Sequence, residues 1–328
     1  MDQDIAQHPF TLLGPSVVLD ALEAVGFEVD GRLLPLNSYE NRVYQVGVED
    51  SRPVVAKFYR PERWSDEAII EEHEFSVELE AREIPVVAPL AMDGRMLHEH
   101  AGFRFAVYPS RGGRAPELDQ PEVREWLGRF IGRIHALGEA WPFRHRPPLD
   151  RGMATRARND LIEGDWIPEY LREAYESVSA EVLEGIDAAF ERVGDVNRIS
   201  LHGDCHPGNV LWTDDGPHFV DLDDCCTGVA VQDLWMLLSG PREEMSLQLS
   251  DVLAGYEDFH DFDRRELHLI EALRSLRIMH YAGWLARRWD DPAFPHSFPW
   301  FGSDRYWEEH LLSLREQLAG MQEPPLVV

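Results

Sequence analysis

The chain has 328 residues, 60 acidic and 31 basic side chains, and a formal net charge of −29. That excess of carboxylates excludes a nucleic-acid partner, because holding a phosphate backbone needs a basic face. A hydrophobic content of 44% is ordinary for a globular core, and the length suits two lobes.

The first ten residues carry Asp2, Asp4 and His8, with no basic or apolar run, so no signal peptide is expected. The first third reads as strand-rich. Arg42 to Val48 and Pro53 to Tyr59 are rich in valine and aromatics and flank a turn at Glu49-Asp50-Ser51. In the second of these, Val54, Ala56 and Phe58 face one way, and Val55, Lys57 and Tyr59 the other. A helix is expected from Asp66 to Arg82, capped by Ser65 or Asp66. The longest apolar run, Ile84 to Met92, is nine residues with two prolines, too short for a membrane span. Phe103 to Tyr108 is a further strand. Glycine and proline then cluster at Arg111 to Pro116, which divides the chain into lobes at 1–110 and 111–328. Beyond it the period is helical: Val123, Leu127, Phe130, Ile131, Ile134 and Leu137 form one stripe, with Gly138 as its C-cap. Residues 156–193 and 243–320 also read as helical. Between them lies a strand-rich island, Ile199 to Val220. The three cysteines, Cys205, Cys225 and Cys226, form no disulfide framework, and a cytoplasmic monomer is expected.

The island carries the chemistry. Leu201-His202-Gly203-Asp204 leads through Asn209 into two short apolar strands joined at Asp214-Asp215-Gly216 and ending at Asp221. Asn209 and Asp221 each lie six residues from Asp215. A hairpin symmetric about that residue would place them opposite one another, with Cα atoms about 5 Å apart. An amide oxygen and a carboxylate there form a hard, oxygen-rich site suited to Mg²⁺. Asp204, on the entering loop, could take the proton of an attacking hydroxyl. This is the kinase spacing, with Phe219-Val-Asp221 in place of Asp-Phe-Gly. A rival reading has His202, Asp204, Cys205 and His206 ligating a transition metal in a hydrolase. Otherwise the two histidines hydrogen-bond the loop backbone.

A phosphotransferase also needs a strand lysine and a glutamate on the next helix. Lys57 is the only lysine in the chain; the other 31 − 1 = 30 basic residues are arginines. Among Glu71, Glu72, Glu74 and Glu78, Glu72 is expected to face it, and most of the others to be solvated. No Gly-x-Gly-x-x-Gly precedes Lys57. The turn Leu36 to Tyr44, with Ser38, could offer backbone N–H groups and a hydroxyl to phosphates. Asp233 opens a helix, as its N-cap or as a brace for the catalytic loop. The interval from Asp221 to Asp233 is too short for a regulated activation loop.

Several long strings add a resemblance: Pro35 to Gln45 (PLNSYENRVYQ), Lys57 to Trp64 (KFYRPERW), Leu201 to His206 (LHGDCH), Val220 to Asp224 (VDLDD), Val231 to Leu238 (VQDLWMLL), Asp291 to Pro295 (DPAFP) and Phe298 to Trp300 (FPW). With these the chain resembles the aminoglycoside phosphotransferase/choline kinase branch of the protein-kinase-like fold, and within it the RdoA-like bacterial stress-response kinases. The resemblance implies an α+β, bilobal fold, with a small antiparallel sheet lobe and a larger helical lobe holding a catalytic hairpin. It also implies ATP- and Mg²⁺-dependent transfer to serine or threonine of proteins in a cytoplasmic stress response, with self-phosphorylation among the reactions to be tested. By motif match, Asp204 is the proton acceptor and Asp221 its catalytic companion. Asn209 and Asp221 hold Mg²⁺, Ser38 contacts phosphate and Lys57 anchors it, with Glu72 beside it. The adenine hinge falls near Val107 to Ser110. The alternatives are a kinase for a cationic small molecule, such as an amino sugar or amino alcohol, and an idle nucleotide-binding protein. The latter should lack one of Lys57, Asp204, Asn209 or Asp221.

Overall fold

A computed structural model of the chain describes residues 8–328. The chain opens with α1 (Pro15–Ala24) and β1 (Val29–Pro35), then β2 (Arg42–Val48) and β3 (Val54–Phe58). Next come α2 (Asp66–Ala81), β4 (His98–His100) and β5 (Phe103–Pro109). The strands form one antiparallel sheet in the order β1-β2-β3-β5-β4. Strand alternation sorts its faces: Val46, Ala56, Phe58 and Phe105 pack beneath Val18 and Leu22 of α1. Lys57 and Tyr59 point the opposite way, and Tyr59 packs with Ile69 of α2.

α2 forms because Ser65 Oγ accepts from the Ala68 N–H at 3.2 Å and Asp66 and Glu67 complement the first turn. Its Phe75 and Leu79, however, belong to the larger core of the helical part. α2 therefore couples the sheet to everything after it.

That part holds α3 (Pro121–Ala140), α4 (Gly152–Glu163), α5 (Glu169–Val193), β6 (Ile199–Leu201), β7 (Val210–Thr213), β8 (Gly216–Phe219) and β9 (Cys226–Gly228). It ends with α6 (Val231–Trp235), α7 (Arg242–Tyr256), α8 (Ile270–Arg287), α9 (Ala293–Ser297) and α10 (Asp304–Gly320). β6 pairs with β9, and β7 with β8. Gly138 does not cap α3. The helix continues to Ala140, and a Cβ at this buried glycine would collide with the Ser200 carbonyl of β6. The strand leading into the loop that carries Asp204 thus lies directly on the helix.

The loop around Glu40 is fastened to the C-terminal region. Asp291 accepts from Arg42 at 2.9 Å and from Arg60 at 2.7 Å, and Arg288 pairs with Glu40 at 2.9 Å. Among the described residues no helix is long and apolar enough to cross a membrane. All three cysteines are free and buried.

Candidate active site

A cavity of about 370 Å³ opens between the sheet and the β7–β8 hairpin, with Ser38, Lys57, Glu72, Tyr108, Asn209 and Asp221 among its walls. Each arrives from a different element. β3 presents Lys57 because the pleat turns it away from the α1 core. α2 carries Glu72 one and two turns before the buried pair Ser76 and Leu79. The β1–β2 turn supplies Ser38, whose Oγ donates to the Asn41 carbonyl at 3.2 Å.

Lys57 is only 6% exposed. Its Nζ lies 2.9 Å from Asp221, 3.1 Å from Asp223 and 4.0 Å from Glu72. Burial alone would lower its pKa, but Asp221, Asp223 and Glu72 together hold the ammonium well above its ordinary range. Glu72 responds in the opposite sense. Burial pushes its carboxyl up against the pull of Lys57, and its Oε2 has no hydrogen-bond partner among the described residues.

The hairpin is one residue out of the expected register. Thr213 pairs with Gly216 and Val210 with Phe219, so Asp214 and Asp215 form a two-residue turn centred between them. Asn209 therefore opposes Val220, whose N–H donates to the Asn209 carbonyl at 3.0 Å. Asp221 is not opposite Asn209. It follows one residue later in a left-handed conformation, φ 59°, which swings its carboxylate, 55% exposed, toward Lys57.

Asp204 stands behind Asn209. The Asn209 Nδ2 donates to the Asp204 carbonyl at 2.9 Å and to its Oδ2 at 3.3 Å. With the amide nitrogen so engaged, Oδ1 is left as the group's acceptor. The other Asp204 oxygen accepts from Arg277 of α8. Burial would raise the Asp204 carboxyl, but Arg277 and His206 outweigh it and the pKa is lowered.

Asp233 sits inside α6 and is not its N-cap. It accepts from the N–H groups of His202 and Gly203 at 2.9 Å each, and lies 3.1 Å from His135 Nε2. The turn entering Asp204 is thus braced from below. His202 Nε2 meets the Val220 carbonyl at 3.0 Å, and His206 Nδ1 accepts from the Gly208 N–H at 2.9 Å. Both histidines serve the loop backbone. Among the described residues no His, Cys, Asp and Glu side chains gather as a metal-binding group, so the hydrolase reading has no ligand set.

Two expectations fall elsewhere. The side chain of Val107 packs in the core under α1, and its carbonyl accepts from the Leu90 N–H at 2.7 Å; Tyr108 and Pro109 reach the cavity instead. Alternation explains this, since Val107 pairs with Ala56 on the core face. Glu71 is one of the helix glutamates of which most are expected in solvent. It is buried and accepts three backbone N–H bonds, from Arg144, His145 and Arg146, at 2.6–2.8 Å.

Sequence reasoning missed Asp223, Arg63, Arg146 and Arg277. Asp223 is buried against Lys57, accepts from Asn41 Nδ2 at 3.1 Å and pairs with Arg63. Arg63 first and Lys57 next overcome the burial that would raise its carboxyl, and hold it far down. The string Val220 to Asp224 contained the signal, two aspartates at i and i+2, but only the first was assigned.

Comparison with known proteins fits this geometry. Residues 32–270 match the model of the phosphotransferase enzyme family. Stress response kinase A of Escherichia coli (strain K12) is 46% identical over 318 residues, 97% of this chain and 96% of that one. Serine/threonine protein kinase RdoA of Salmonella typhimurium (strain LT2) is 45% identical over 320 residues, again 97% and 96%. Among solved structures, an amicoumacin kinase in complex with AMP-PNP, Ca²⁺ and its ligand superposes with a TM-score of 0.72 at 20% identity, covering 95% of this chain and 94% of that one. A microcompartment-associated aminopropanol kinase gives 0.71 at 16%, covering 93% and 96%. The fold is the α+β kinase-like one, and the chain belongs to the phosphotransferase enzyme family.

Proposed function

We propose that the chain is an ATP- and Mg²⁺-dependent kinase that phosphorylates serine or threonine hydroxyls of proteins in a bacterial stress response. The observation that carries this reading is the meeting of Lys57, Glu72, Asn209 and Asp221 in one cavity, with Asp204 directly behind. We assign residues 1–110 to the nucleotide lobe and 111–328 to the catalytic and acceptor lobe, in a cytoplasmic monomer.

The donor set suits a hard cation. The half-exposed Asp221 carboxylate and the uncommitted Asn209 oxygen supply few protein ligands and leave the rest of the shell to phosphate and water. Bound there, Mg²⁺ would neutralise charge on the phosphates. The remaining work belongs to the chain. Lys57, a compact ammonium on a rigid strand, holds the phosphates as a point charge. The loop at Ser38 closes over them. Asp204 orients the acceptor hydroxyl and takes its proton as the oxygen bonds to the γ-phosphorus and the bond to the bridging oxygen of ADP breaks. The bracing by Asp233 fixes Asp204 before substrate arrives.

The protein acceptor rests on the two relatives of near-identical length, one named as a serine/threonine protein kinase. The small-molecule alternative draws on the aminopropanol kinase among the structural neighbours and on the net charge of −29, which would attract a cationic acceptor. Incubation with γ-labelled ATP and Mg²⁺, alone, with serine- and threonine-containing proteins, and with amino alcohols and amino sugars separates them. Label in phosphoserine or phosphothreonine is expected. Label only in the small alcohols would replace the first reading by the second.

A further inference from the structure

Asp204 Oδ2 is held by the Asn209 amide at 3.3 Å and lies 3.5 Å from His206 Nε2. Its other oxygen, Oδ1, accepts from Arg277, so a hydroxyl that binds through Oδ1 meets the arginine there. Arg277 has no other carboxylate partner among the described residues. The two side chains differ in freedom: Asp204 is 21% exposed, Arg277 45%. A hydroxyl taking Oδ1 would therefore displace the arginine and leave the aspartate in place. The displaced guanidinium would lose the one carboxylate it pairs with among the described residues, and a charged group deprived of its partner next to a binding site selects for a replacement.

The neighbouring arginines are already paired: Arg63 with Asp223 and Asp224, and Arg287, the last residue of α8, with Asp160. His280 lies one turn beyond Arg277 and feels the charge of both, of Arg277 and of Arg156. Burial first, and then these four guanidinium groups, bring its imidazole down to about 4. Arg277 is left as the arginine paired with the proposed proton acceptor. Tyr281, 39% exposed, adds an aromatic wall next to Arg277.

We infer that Arg277 determines acceptor specificity, selecting a serine or threonine in an acidic peptide segment whose flanking carboxylate draws the guanidinium off Asp204. The inference rests on the kinase reading above and deepens it. An ammonium-bearing alcohol brings the wrong charge to this position.

The test uses the full chain, Mg²⁺–ATP and serine-centred peptides identical except for Glu, Gln or Lys at the positions flanking the serine. It is run near 0.15 M salt so that the overall charge is screened within about 8 Å. Ethanolamine serves as a cationic small alcohol. The wild type is expected to favour the Glu peptide over the Lys peptide by about tenfold or more in kcat/KM, the scale of one charge-assisted hydrogen bond. Arg277→Gln flattens the ranking and Arg277→Glu reverses it. Nucleotide titration shows whether each variant is folded, and if one is not, the wild-type ranking decides alone. A wild type indifferent to the flanking charge or favouring Lys overturns the inference. So does a uniform slowing of every peptide in the variants, which would make Arg277 a general transition-state cation. Transfer to ethanolamine and to no peptide overturns both the inference and the protein acceptor, while leaving a kinase. Transfer to nothing overturns the kinase reading and the inference with it.

Discussion

Lys57 shows why one side chain resists replacement. It is almost fully buried, and its ammonium is shared among Asp221, Asp223 and Glu72. A planar guanidinium needs more room and a forked partner, and it cannot act as a compact charge that passes from carboxylate to phosphate. Lys57→Arg is expected to lower the rate of transfer at least tenfold and to weaken nucleotide affinity, as read by initial rates and by titration. The lysine was legible because it stands alone among arginines and lies on a strand whose alternation could be read locally. Asp204 and Asn209 were legible for a similar reason, since five residues separate them and their spacing is fixed by one loop. Asp223 was not, because its partners Asn41 and Arg63 are 182 and 160 residues away in the chain and only the fold brings them together. The same holds for Arg277, which reaches Asp204 across 73 residues.

At the scale of elements, α2 joins the two halves of the molecule. Its Glu71 reaches the loop between α3 and α4 and gathers the N–H groups of Arg144, His145 and Arg146, while its neighbour Glu72 faces the cavity. Adjacent glutamates thus do different work, one structural and one in the proposed site. Removing a carboxylate that satisfies several buried donors strands all of them. Glu71→Ala is expected to destabilise the fold by about 3 kcal/mol, measured as a lower urea midpoint, with Glu71→Gln recovering part of the loss. The helix itself was readable from its cap and stripe, but nothing local distinguishes Glu71 from a solvated glutamate. β1 escaped notice because it is mostly exposed and contains Gly31, so it shows no alternation. α1, ten residues long with Pro15 at its start, has a short stripe that only the sheet beneath it completes. The register of the hairpin depended on whether its turn holds an even or odd number of residues, a choice the run Thr213-Asp-Asp-Gly216 leaves open.

At the scale of the whole molecule, the C-terminal helices are integral to the site. Asp291 and Arg288, after α8, hold the loop around Glu40 and so fix the rear of the turn proposed to bind phosphate. This explains why strings as distant as Pro35 to Gln45 and Asp291 to Pro295 read as parts of one pattern. The same helices carry a pH signature. His310 of α10 packs between Tyr175 and Tyr306, and burial lowers its imidazole to about 4. Above about pH 6.5 it is neutral in both the folded and unfolded chain and has no effect. As the pH falls from there toward 4, only the unfolded chain takes the proton. Stability then declines by about 1.4 kcal/mol per pH unit from this group. Urea midpoints at pH 7.5, 6 and 5 should show that decline in the wild type and a shallower one in His310→Phe. The central claim, that this cavity transfers phosphate with Asp204 as proton acceptor, is tested most directly by comparing transfer from γ-labelled ATP to protein acceptors by the wild type and by Asp204→Ala. The account predicts a loss of about 10²-fold or more in the variant, with nucleotide affinity retained. Equal incorporation by the two proteins would contradict it.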